Sequence, residues 1–187
     1  MTDLVISSGR ALTPANAIGN LMPAQILKLE TRSVIRLSGR DTHDFLQGLV
    51  TNDVKEVSSG HAVYAALLTP QGKFMFDMII VADGEDLLLD IEASRAPQLL
   101  QRMMMYKLRA DVTISEEDAS VWALWGAEAE NGLAYADPRH KALKLRVISK
   151  AAPVKGAAAL TLENYEERRI RHGVPDGSRD MMVEKYL

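Results

Sequence analysis

The sequence predicts an α+β fold, in which strand pairs alternate with single helices across two similar halves. Three observations predict it. Apolar runs of strand length follow one another through short turns between residues 62 and 91. Two stretches, after Asp41 and after Ala93, instead space their apolar residues as a helix does. The same strand-and-helix order then recurs in the second half, which suggests layered packing, although no internal sequence repeat accompanies it.

Residues 1–24 open the chain as a polar, small-residue extension without a sustained period, and Met22 is a plausible alternative start. Ile26 to Leu37 reads as strand, turn, strand, with Glu30-Thr31-Arg32 as the turn. Asp41 is placed to cap a helix carrying Phe45, Leu46, Leu49 and Val50, which ends at Asn52-Asp53. Residues 62–69 and Phe74 to Val81 read as strands joined by Pro70-Gln71-Gly72, where proline presets φ and glycine permits a positive one. Asp83-Gly84-Glu85 then turns the chain into Leu87 to Ile91, completing a three-stranded meander. Ala93 to Leu108 reads as a helix capped by Ser94, with Leu99, Leu100, Met103, Met104 and Tyr106 as its apolar stripe. The Met103-Met104-Met105 run reads as flexible core filling. Val112 to Ile114, Val121 to Trp125 and Leu143 to Ile148 are further strands, and residues 150–160 a loop. Thr161 starts a last helix that stops at His172-Gly173-Val174-Pro175. Met181 to Leu187 is mostly apolar, so the reading is of a chain that needs something further to pack against it.

Composition narrows the function. The formal charge is −3 and the pI about 5.8, so no basic face argues for direct nucleic-acid or anionic-membrane binding. No apolar run approaches the ~20 residues that span a bilayer. The absence of cysteine excludes disulfides, thiolate metal sites and thiol nucleophiles, and with the lack of a signal-peptide pattern it favours a cytoplasmic location. The four histidines lack metal spacing, so no metal site is expected. Phosphate-binding glycine loops and a nucleophile elbow are absent too.

What remains is polar chemistry set inside apolar surroundings. Asp77 interrupts the strand Phe74 to Val81. It either faces solvent, opposite Phe76 and Met78, or sits paired or at a cavity. Two further segments share this character: Phe45 to Val54, and Arg168 to Pro175.

Together these segments resemble the YgfZ-type folate-binding proteins, relatives of the glycine cleavage T-protein, an aminomethyltransferase. The matching pieces are Phe45-Leu46-Gln47-Gly48 with Thr51-Asn52-Asp53, Tyr64 with Leu68 to Lys73 and Asp77, and Tyr106 to Val112. Asp137-Pro138-Arg139 and Arg169 to Pro175 complete the set, and the resemblance covers residues 25–187. It implies two ferredoxin-like subdomains of a three-part ring around a tetrahydrofolate channel, with the third part, a C-terminal β-barrel, missing. It also implies a Lys-Gly-Cys-Tyr-x-Gly-Gln-Glu signature just beyond the present C-terminus.

The function implied is that of an accessory protein in iron–sulfur cluster assembly or repair, including for tRNA-modifying radical enzymes. Its partners would be folate and iron–sulfur proteins or their assembly factors, with a homodimer through the C-terminal edge. The resemblance gives Asn52, Tyr64, Phe76, Asp77, Tyr106, Arg169 and Arg171 as folate-binding residues, with Asp77 as the candidate catalytic carboxylate. Tyr64, Phe74, Phe76 and Tyr106 would supply stacking area, and Arg169 or Arg171 would pair the glutamate tail. Two departures argue against classical aminomethyl transfer. The acidic pair of the aminomethyltransferases is reduced to Phe76 and Asp77, and an acidic position is taken by Arg171, whose guanidinium has donors only. The competing readings are a true aminomethyltransferase working through Asp77, and a non-catalytic interaction module.

Overall fold

The computed structural model describes residues 23–185; the extension expected over 1–24 therefore lies almost wholly outside the described residues. Among the described residues, ten strands form two five-stranded sheets. The first sheet contains β2 (Arg32–Ser38), β3 (Val63–Leu68), β4 (Phe74–Asp83), β5 (Asp86–Glu92) and β6 (Thr113–Glu116), in the order β3-β4-β5-β2-β6. The second contains β1 (Gln25–Lys28), β7 (Ser120–Trp125), β8 (Leu133–Ala136), β9 (Leu145–Ser149) and β10 (Ala158–Ala159), in the order β10-β1-β7-β9-β8. The expected meander is the β3-β4-β5 part of the first sheet, antiparallel throughout, with pairs such as Val63↔Ile80 and Met78↔Ile91 and a register shift at Leu67/Leu68.

Strand alternation decides what each face does. On one face of the first sheet, Ile35, Leu37, Met78, Ile80, Leu87 and Leu89 pack under two helices, α1 (Thr42–Gln47) and α2 (Ala96–Lys107). The helices contribute Leu46, Leu99 and Met103, all fully buried. On the opposite face, Val34, Ile79, Val81 and Leu88 pack against Val121, Ala123, Trp125, Tyr135 and Ile148 of the second sheet. Because both faces of β4 are covered, Phe74 to Val81 is buried without interruption. That explains why its sequence reads as apolar throughout and not as an alternation. The third helix, α3 (Leu162–Arg171), lays Tyr165 into the inter-sheet core, and the chain then returns across the sheets.

Several local expectations are corrected by tertiary contacts. β1 and β2 are sequential strands but join different sheets, so Glu30-Thr31-Arg32 is a crossover and not a hairpin. Asp41 occupies the cap position of α1, yet its carboxylate accepts from the Asp111 amide, seventy residues away, and caps nothing. The helix also stops at Gln47; Val50 instead bridges to Leu67 at the edge of β3. Ser94 lies in a 3-10 turn before α2 and donates to Glu92 Oε1 at 2.7 Å. Met104, Met105 and Tyr106 are exposed, so only Leu99, Leu100 and Met103 of the expected stripe reach the core. β8 and β10 were not expected at all; both are short, and β8 is completed by pairing with β9. Thr161 does cap α3, accepting from the Asn164 amide at 3.2 Å.

Truncating Met103 to alanine should cost about 2–5 kcal/mol, the range for emptying a packed core position. Met104→Ala should stay within about 0.5 kcal/mol, as exposed substitutions do. Urea unfolding of the two variants checks both values.

Candidate functional site

The polar centre of the molecule lies between the sheets. Asp90 sits on the inner face of β5 with no solvent exposure. Its carboxylate takes Arg32 Nε at 2.6 Å from β2, the Tyr135 hydroxyl at 3.0 Å from β8, and an ion pair with Arg146 from β9. Arg146 also donates to Asp137 Oδ2 at 2.9 Å and to the Tyr165 hydroxyl at 2.8 Å. Arg139 grips Asp137 through Nε and Nη2, at 3.0 and 2.7 Å, and its Nη1 donates to the Pro175 carbonyl at 3.2 Å. One connected network therefore ties both sheets, α3 and the C-terminal return together.

The charges set one another. Burial pushes the carboxyl of Asp90 up, but the guanidiniums of Arg146 and Arg32 outweigh it and hold the group below its ordinary value. Asp137 follows the same balance: burial raises it, and Arg146 and Arg139 bring it well below the usual carboxylate range. Tyr135 is pushed far up by burial and by the charge of Asp90, so its hydroxyl stays a donor.

Asp77 stands apart from this pattern. It lies on the inter-sheet side of β4, opposite Phe76 and Met78, and is 4% exposed. The reading of Asp77 as a solvent-facing strand residue is therefore excluded. Its one hydrogen bond among the described residues comes from the Tyr64 hydroxyl on β3, at 2.9 Å. Asp90, Asp137 and Asp176 are the other buried aspartates, and each is ion-paired to arginine. Asp77 alone among them has no cation within ion-pair distance among the described residues. Burial, then the charge and hydrogen bond of Asp77, raise the Tyr64 phenol, while Arg139 and Arg32 partly offset the rise. Those two arginines thus act on the Tyr64 hydroxyl through space.

A strap formed by residues 174–185 closes over this pair. Its 3-10 turn, Gly177–Arg179, sits so close to β4 that a Cβ at Gly177 would lie 3.1 Å from Asp77 Oδ1 and 2.7 Å from Glu92 Oε2. Gly177 also has φ +52, a conformation other residues rarely adopt. Ser178 fastens the turn by donating its amide and hydroxyl to Glu92, at 3.0 and 2.8 Å. Further along, the Glu184 amide donates to the Phe74 carbonyl. Beside Asp77, a cavity of about 10 Å³ is lined by Phe76, Asp77, Ile91, Glu92 and Arg95, room for roughly one water.

The structure brings together three of the residues expected at the site. Asn52 Nδ2 donates to the Tyr64 carbonyl at 3.1 Å, and Tyr64 in turn holds Asp77. Phe76 turns its ring to the helix side, where Arg95 lies over it at 4.6 Å. Tyr106 is on the outer surface of α2, accepting from Arg102, with the first sheet between it and Asp77. Arg169 is 3% exposed and spent internally on Glu166, Asp180 and the Val174 carbonyl, so it anchors the strap. Arg171 is on the surface, paired with Glu167 one turn earlier. Among the described residues, Asp77 and two arginines of the last helix, Arg168 and Arg171, border separate cavities and not the expected single hollow. Asp90, Arg32 and Arg146 were missed. The signal for Asp90 was available: a carboxylate inside Leu87-Leu88-Leu89-Asp90-Ile91 is as anomalous as Asp77 in its own strand.

Residues 23–160 match the family model of the GCVT N-terminal domain. The chain is 33% identical over 83% of its length to a protein of Mycosarcoma maydis named iron-sulfur cluster assembly factor IBA57 homolog, mitochondrial. It is 26% identical over 82% of its length to the Homo sapiens iron-sulfur cluster assembly factor IBA57, mitochondrial. It covers 45% and 52% of those two proteins, and so spans about half the length of the curated relatives it matches. A crystal structure of the glycine cleavage system aminomethyltransferase T from Bartonella henselae shares the fold, with TM-score 0.51 and 18% identity, over 57% of this chain and 30% of that one. The expectation of a cytoplasmic location is overturned, because these relatives carry mitochondrial names. Lack of cysteine was too weak a basis for it, since reducing conditions are not confined to the cytosol.

Both Asp90 and Asp137 have folded-state pKa values depressed below their unfolded ones. Their contribution is fully present above the unfolded value, near 3.9, and is lost as pH falls through the folded values. Stability should thus fall steeply below about pH 4, and Asp137→Asn should flatten that acid limb. Asp90→Asn should cost about 3–5 kcal/mol at neutral pH, because it leaves the buried Arg32 without its carboxylate and Arg146 with Asp137 alone. Chemical denaturation from pH 2 to 7 measures both effects.

Proposed function

This chain belongs to the GCVT N-terminal domain family, and from that premise we propose that it serves as an accessory factor in iron–sulfur cluster assembly. The relatives supporting this are named for that role and align along most of the chain. We further propose a YgfZ-type role, with tetrahydrofolate as the ligand and tRNA-modifying iron–sulfur enzymes among the clients.

The observation that carries the ligand proposal is Asp77. It is the buried aspartate left without a cation, held by a neutral tyrosine hydroxyl with acceptor capacity to spare. A carboxylate in that state suits the donor edge of a pterin. The fit has a condition. A cavity of about 10 Å³ cannot take a pterin, so in the closed arrangement the residues do not accommodate folate. Access requires the strap to lift from Asp77 and Glu92, breaking the two Ser178 contacts. Asn52, Tyr64 and Asp77 are then the proposed binding residues, and Tyr106, Arg169 and Arg171 are not among them. No feature of the arrangement favours aminomethyl transfer, since Asp77 has no second carboxylate beside it on β4.

Tetrahydrofolate at a hundredfold excess over its Kd should raise the unfolding free energy by about 2.7 kcal/mol. Asp77→Asn should abolish that rise, and Ser178→Ala, which loosens the strap, should tighten binding. An unchanged melting curve for the unmodified chain would sink the folate proposal. The assembly role is tested apart from it: depleting the protein from its own cells should lower iron–sulfur enzyme activities and spare iron-free enzymes of the same compartment.

A further inference from the structure

We propose that the second sheet carries a separate ligand site for a small organic anion, a carboxylate or phosphate group attached to an apolar body. The site is a groove of about 390 Å³ where the ends of β1, β7 and β9 meet α3. That volume lies within the range of small-molecule pockets. Its walls include the cross-strand pair Leu124 and Leu145, together with Trp125, Gln25, Lys144 and Arg168. None of the groove's lining residues is acidic.

Arg168 is the main recognition group. Its guanidinium lies 4.8 Å from the centre of the Trp125 ring, and Nη2 donates to Gln25 Oε1 at 3.1 Å. Its two arginine neighbours on α3 are both paired with carboxylates, Arg169 with Glu166 and Asp180, and Arg171 with Glu167. Arg168 has no carboxylate partner among the described residues. It is half-buried, stacked and pre-oriented, with a planar fork suited to two oxygens of one anion. Lys144 supplies a second cation, and it does so from a backbone with φ 60 and ψ −122. A non-glycine residue held there is strained, and such strain concentrates at ligand sites. An adjoining groove of about 280 Å³ continues past Gln25 and Arg168 to Arg171. The acidic residue on that extension, Glu167, is already committed to Arg171.

The groove is distinct from the Asp77 centre. Along β7, Val121, Ala123 and Trp125 turn toward the first sheet, so Leu124 and its partner Leu145 belong to the outer face. Asp77 lies on the inner side, beneath the strap. Leu124 is fully buried and forms the floor of the groove, so a ligand's apolar body would cover Leu145, Ala127 and the edge of Trp125 while its anionic head displaces water from Arg168 and Lys144. Neither group alone would suffice: a bare inorganic anion gains nothing from the apolar wall, and a neutral molecule nothing from the cations.

The test uses the whole chain and its two tryptophans, whose indole N–H signals separate by NMR. Benzoate and phenyl phosphate serve as probes, with benzamide as the uncharged counterpart and inorganic phosphate as the bodiless one. Either or both charged probes should shift the Trp125 signal saturably and leave Trp122 unmoved; which of them binds more tightly identifies the head group. Arg168→Gln and Lys144→Gln should each weaken binding about tenfold, the equivalent of one charge-assisted contact. Lys144 is exposed, so its variant keeps the test valid if the Arg168 variant fails to fold. No saturable shift, equal binding of benzamide, or equal binding of inorganic phosphate overturns the proposal. Asp77→Asn should leave this binding intact, which separates its outcome from that of the folate experiment.

Discussion

The structure depends on one buried charge arrangement, the bridge from Asp90 in the first sheet to Arg146 in the second. Two sheets packed only through aliphatic side chains could slide or rotate with little change in energy. A buried ion pair cannot, because any displacement leaves a charge without compensation in a low-dielectric interior. Such pairs contribute little net stability compared with a well-packed apolar substitute. Their effect here is to fix register. Asp90 accepts from both sheets, Asp137 receives Arg146 and Arg139, and Tyr165 brings α3 to the same point. Arg139 extends the network to Pro175, where the strap begins.

That arrangement divides the first sheet by function. Its helix-covered face is dry and filled by Leu46, Leu99, Met103 and their neighbours. Its other face is mixed, with Val34, Ile79 and Val81 surrounding Arg32, Asp77 and Asp90. Three guanidiniums, of Arg32, Arg139 and Arg146, face the two carboxylates of Asp90 and Asp137, which leaves one positive charge over. Asp77 lies on the same face without an ion pair to any of the three, so its oxygens stay free of cations among the described residues. Arg32 Nη1 is one of three buried side-chain atoms without a hydrogen-bond partner among the described residues, with Thr42 Oγ1 and Arg95 Nε.

The strap follows from the same logic. Arg169 looked like a ligand residue because arginines often hold carboxylate tails. Instead it is clamped by Glu166, Asp180 and Val174, and it fixes the return of the chain over β4. Gly177 then permits a contact with Asp77 that a side chain would forbid. The strap is held to the body by polar contacts with Glu92, Glu166 and Arg169, and such elements are drawn from the low-stability end of a fold.

By itself the sequence determined the α+β class, the meander through β3, β4 and β5, the turn at Pro70-Gln71-Gly72 and the cap at Thr161. Each of these rests on periodicity or on the backbone preference of one or two residues, which are local properties. It also singled out Asp77, because a carboxylate inside an apolar strand is visible without coordinates. Tertiary structure alone decided that β1 and β2 part into different sheets, that Asp41 holds Asp111 and not its own helix, that Phe76 turns its ring to the helix side, and that Tyr106 lies on the outer surface of α2. It alone assigned partners to the arginines, since a guanidinium reads the same in sequence whether it is committed, as at Arg169, or left without a carboxylate, as at Arg168. The physical reason is range: propensity acts over a few residues, whereas burial and charge pairing depend on groups that approach only when the sheets close on each other.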